Sequence, residues 1–122
     1  MDLPANAERY IEDKRPFAAH VGIYPFCSIY LPRRTVYSPL LILGGSADTW
    51  TPIGNCKDLF ERSRVPNVTI IEYDGATHAW DAPYPTRTVA GTFGPVVLAY
   101  DASATQDGIR HSMAFIERHL RF

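Results

Sequence analysis

The chain has 122 residues, of which 46% are hydrophobic and 20% charged, and its formal net charge is -1. One domain spanning residues 1–122 is the expectation, able to bury about two-thirds of its unfolded surface. So even a balance supplies no basic field for nucleic acid or an anionic membrane surface, and neither partner is expected. No apolar run approaches the roughly 20 residues of a membrane helix, and the opening MDLPANAERYIEDKR lacks the apolar core of a signal peptide. A cytoplasmic location is the default.

Residues 1–16 are polar and read as a connector or short helix, ending at Pro16. Phe17 to Tyr24 is a run of small and β-branched residues closed by Pro25, the pattern of a short buried strand. Residues 26–37 then read as a loop carrying a solvated basic pair, Arg33-Arg34. Leu40 to Leu43 is continuously apolar between Pro39 and Gly44-Gly45, as expected of a parallel strand covered on both faces. Beyond the polar turn 46–52, Ile53, Cys56, Leu59 and Phe60 recur at helical spacing and predict an amphipathic helix of about three turns. Val68 to Tyr73 is a second β-branched strand, stopped by Asp74-Gly75. Strand, helix and strand with short links make a parallel βαβ unit, which sets the fold class as α/β.

Residues 82–104 are rich in Pro, Gly and Thr, and only Pro95 to Tyr100 offers a short strand or packed loop. From Ser103 a final helix is predicted, burying Ile109, Met113, Ile116 and Leu120 on one face. Cys27 and Cys56 lie far apart and outside any C-x-x-C motif. We expect two small buried hydrophobes, with neither a metal nor a disulfide between them. Asn67-Val68-Thr69 has the form of a glycosylation acceptor but carries no weight without a secretory signal.

Open parallel sheets gather reactive groups at the carboxyl ends of their strands. Asp48 follows one predicted strand by a few residues and His78 follows the next, so their loops open on one edge and the two side chains can meet. Such a pair suits the inner members of a nucleophile-histidine-acid triad: Asp48 orients His78 and stabilises its imidazolium while His78 moves the proton. A bland reading, Asp48 as a turn cap and His78 as a packed ring, is weighed against it and comes second. Trp50 and Trp80 stand close to the pair, as walls of a substrate pocket or as core. Asp81 is read evenly as an orienting group for the histidine loop or a turn residue. His20, His111 and His119 have no acid or cysteine at a ligand spacing and are read as structural or surface groups.

The segments PLLILGGSADTWTP and YDGATHAWDAP, with FAAHVGIYPFC before them and VVLAYDASATQDGIRHSMAFIERHL after, resemble the C-terminal half of a dienelactone hydrolase, an α/β-hydrolase family. The resemblance covers nearly everything from Phe17 onward. It implies a partial α/β-hydrolase fold of about three parallel strands with flanking helices, hydrolysis of an ester or lactone, catalytic roles for Asp48 and His78, and no metal or organic cofactor. It also implies that the nucleophile elbow and oxyanion-hole amides precede this segment, and nothing from Met1 to Arg15 replaces them. Ser46, in Gly44-Gly45-Ser46-Ala47-Asp48, departs from G-x-S-x-G at the last glycine, and its use as nucleophile would leave Asp48 without a role. Cys27 and Ser28 sit where the resemblance has a structural strand end. The nucleophile is therefore unknown, with Ser46 and Cys27 both disfavoured.

Two functions follow as expectations. One is a hydrolase-type half-fold that needs a nucleophile from a partner chain. The other is a non-catalytic binding or assembly module, because a sheet lacking half its strands exposes edges that pair with another chain, most simply as a homodimer.

Overall fold

A computed structural model describes residues 17–27, 38–61 and 64–120. The predicted connector over 1–16, the Arg33-Arg34 loop and Ser28 lie outside these residues.

Three strands, β1 (His20–Ile23), β2 (Leu40–Gly45) and β3 (Val68–Tyr73), form one sheet in the order β1-β2-β3, parallel throughout. The central strand β2 is buried along its whole length. Alternation of side chains across a strand explains why its sequence is continuously apolar. Leu40 and Ile42 face one cluster with Cys27, Cys56 and Phe60, where helix α1 (Ile53–Phe60) packs. Leu41 and Leu43 face the other, with Ala76, Trp80, Ala104 and Phe115, where helix α2 (Ala102–His119) packs. The α/β class and the parallel βαβ unit are thus as the sequence implies.

Several expectations need correction. Helix α1 has 8 residues, just over two turns rather than three, and Pro52 caps it without a side-chain hydrogen bond. Where Pro95 to Tyr100 was offered as a short strand or packed loop, Gly94–Leu98 (β5) is a strand, and it pairs antiparallel with Arg87–Gly91 (β4) as a hairpin. Strand β4 was not foreseen: its side chains are mostly exposed, so they carry no buried alternation to read.

In α2 the buried residues are Ala104, Gly108 and Phe115, whereas Ile109 and Met113, expected inside, are 60% and 54% exposed. Helix α2 approaches so closely at Trp80 that a Cβ on Gly108 would stand 2.9 Å from its ring. Small residues win that face over the larger apolar stripe because only they permit the approach. Asp101 caps the helix, accepting from the Ala104 backbone N–H at 2.9 Å, and Arg118 and His119 complement the dipole at its far end.

Cys27 and Cys56 are buried as expected but are joined as a disulfide across 29 residues. The turn after β1 brings Cys27 over α1, a tertiary proximity that motif spacing does not encode. The bond fastens the end of β1 to α1.

Candidate functional site

Both predicted site loops leave the same edge of the sheet. Asp48 follows β2 and is 4% exposed; His78 follows β3 and is partly buried. Gly45 lets the two loops close on one another, since a Cβ there would meet the Ala76 carbonyl at 2.0 Å. His78 Nδ1 stands 2.9 Å from Asp48 Oδ2 and 2.9 Å from Thr51 Oγ1. A carboxylate only accepts, so Nδ1 carries the proton and donates to this pair of oxygens. The Thr51 hydroxyl has one proton and two acceptors within reach, Asp48 Oδ2 at 2.9 Å and the Tyr24 carbonyl at 3.1 Å. Nε2 is then left with a free lone pair, and it makes no hydrogen bond to any described residue.

The other carboxylate oxygen, Asp48 Oδ1, accepts the backbone N–H groups of Trp50 at 2.9 Å and Thr51 at 2.8 Å. Burial by itself would push the Asp48 carboxyl up. The hydrogen bonds from His78 and from the backbone and hydroxyl of Thr51 outweigh it and hold the carboxyl below the usual aspartate range.

Aromatic rings fix the imidazole. Tyr24 stacks on it with centroids 4.5 Å apart and planes 29° apart, and Trp50 tilts against it at 5.2 Å. Trp50 therefore lies against the candidate base. Trp80 is 1% exposed and packs edge-on against Tyr24 and Tyr73 beneath the histidine loop, so it belongs to the core. Its carbonyl accepts from Asp101 N–H at 2.9 Å, tying the loop to α2. Thr77 ties the same loop to the end of the hairpin, since its Oγ1 accepts from Ala99 N–H at 2.9 Å.

Ser46, weighed as a nucleophile, is occupied elsewhere. Its Oγ accepts from Gly75 N–H at 2.7 Å and donates to Asp74 at 3.3 Å, with no bond to His78. Cys27 is consumed in the disulfide and has no thiol to offer. Asp81 accepts the Tyr24 hydroxyl at 2.8 Å, so it does bear on the histidine loop. His111 departs from expectation, lying 3.0 Å from Asp107 one helical turn away. Tyr24 and Thr51 were missed as site residues. Thr51 stands at a turn where a hydroxyl reads as local capping, and Tyr24 at a strand end where an aromatic reads as packing. Among the described residues no cluster of metal-ligating side chains occurs, and no helix is long and apolar enough to cross a membrane.

No known protein family and no curated protein matches the chain. Among solved structures it is similar to one from Klebsiella pneumoniae subsp. pneumoniae MGH 78578, described as a candidate dienelactone hydrolase, at 21% identity and a TM-score of 0.47. The match covers 65% of this chain and 29% of that one, so the chain spans under a third of that protein's length.

Proposed function

We propose that Asp48 and His78 are the acid and base of an acyl-hydrolase centre that acts on an ester or lactone. The observation that carries this reading is the 2.9 Å contact between His78 Nδ1 and a carboxylate that is itself buried and held ionised by backbone donors. The carboxylate keeps Nδ1 protonated and stabilises the imidazolium, so that Nε2 takes a proton from an attacking group. The attacking serine or cysteine comes from a partner chain, since Ser46 is bonded elsewhere and Cys27 is held in the disulfide. Trp50 borders the acyl group.

p-Nitrophenyl acetate tests this reading, because its leaving group departs without an acid and water activated by His78 suffices for turnover. His78→Ala should lower the rate by about 10²-fold, the usual worth of a positioned base. An unchanged rate removes the catalytic assignment.

A second reading is a homo-oligomeric module. Strand β1 pairs with β2 alone among the described residues, and a groove of about 350 Å³ lined by Phe17, Val21, Gly22 and Pro25 runs beside it. A second copy adding a strand there would satisfy the edge. Light scattering at micromolar concentration should then give a dimer, and a monomer counts against it. The Cys27–Cys56 disulfide favours an oxidising compartment over the cytoplasm expected from sequence. Alkylation of the native, unreduced protein under denaturing conditions should find both thiols blocked.

A further inference from the structure

Tyr24 is joined to both site loops in more ways than packing requires. Its ring lies against the His78 ring with centroids 4.5 Å apart, its hydroxyl donates to Asp81 at 2.8 Å, and its carbonyl lies 3.1 Å from the Thr51 hydroxyl of the acid loop. Asp81 lies three residues beyond His78, so the side chain of Tyr24 grips the loop on both sides of its turn. The backbone is in an unusual state here: Tyr24 has a φ of 38°, and Ala79, next to His78, one of 60°. Left-handed conformations cost a bulky L-residue energy, and persist where surrounding contacts over-determine them. For Tyr24 those contacts include its own N–H, which donates to the Leu43 carbonyl at 2.8 Å. Positive φ turns the residue after β1 away from the strand direction and lays the ring along the imidazole.

We propose that Tyr24 is a positioning residue, which with Asp81 as its anchor holds the His78 imidazole in the plane that keeps Nδ1 on Asp48 and Thr51. The inference rests on the reading of Asp48 and His78 given above. The phenol contributes as a donor and not as an acid: burial and then the Asp81 carboxylate push its titration up to about 12, so the hydrogen bond persists at any working pH. The imidazole is gripped between two fixed elements. Asp48 and Thr51 define where Nδ1 goes, and Tyr24 defines the tilt of the ring that aims Nε2.

The test reads the His78 tautomer by long-range nitrogen–proton NMR on the full chain at about pH 8, above the ordinary range of imidazole titration. The wild type should show the Nδ1–H form. Tyr24→Phe and Asp81→Ala, which keep the ring and remove only its anchor, should each shift the tautomer ratio toward Nε2–H by about fivefold, the worth of one hydrogen bond. The double variant should shift it no further, because both act through one bond. Tyr24→Leu should shift it more than Tyr24→Phe, and the conservative variant thereby rescues most of the effect. Tyr24→Phe and Asp81→Ala spectra identical to wild type in the His78 signals would overturn the proposal while leaving the Asp48–His78 pair intact. A wild type already in the Nε2–H form would instead overturn the reading of the pair itself.

Discussion

The two loops of the candidate site are held by opposite means. In the Asp48 loop the carboxylate is fixed locally: it accepts N–H groups two and three residues away, and the hydroxyl of Thr51 sits in the same turn. The His78 loop is tertiary: Tyr24 after β1, Ala99 after β5 and Asp101 at the start of α2 all fasten it. An acid has only to be fixed and desolvated, which one turn can do. A base must also be aimed, and that recruits the rest of the fold.

The comparison is broken most severely from beneath the histidine loop. Trp80→Ala removes the ring on which the loop and α2 rest, and should cost about 3–5 kcal/mol, read as a drop in the urea midpoint. A smaller change is expected in the acid loop. Asp48→Asn keeps the shape but weakens bonds to a charged acceptor, worth about 2 kcal/mol together. Its pH dependence has a definite sign. The folded carboxyl titrates below its unfolded value of about 3.9, so its stabilisation is complete above that value and is lost as pH falls through the folded one. Urea midpoints taken downward from neutral pH should fall less steeply for Asp48→Asn than for wild type. The smallest effect is Thr77→Val, which frees the hairpin end from the histidine loop at about 1 kcal/mol and should speed amide exchange at Ala99 while leaving β2 protected.

What was legible in the sequence follows the same division. Strand β2 was readable to within a residue or two because burial on both faces leaves an unbroken apolar run, and β3 because its β-branched residues stand between turn signals, although Thr69 and Glu72 are exposed. Asp48 and His78 were found because strand ends place them, a rule that needs only chain order. Features created by tertiary approach were not legible. Gly108 under Trp80 set the buried face of α2 against the apolar stripe of Ile109 and Met113. The hairpin, closed at Thr92-Phe93 with Phe93 89% exposed, carries none of the usual Asn-Gly turn chemistry. The disulfide joins residues whose proximity depends on how the turn after β1 crosses α1. Tyr24 combines both difficulties, since its role lies in a backbone turn and in partners more than 20 residues away.

The most direct measurement is p-nitrophenyl acetate turnover through the cycle of Asp48→Asn, His78→Ala and their double variant. Groups that act as a unit are non-additive, so the double variant should be no slower than His78→Ala alone. Effects that multiply, or an Asp48→Asn rate equal to wild type, would contradict a coupled acid and base.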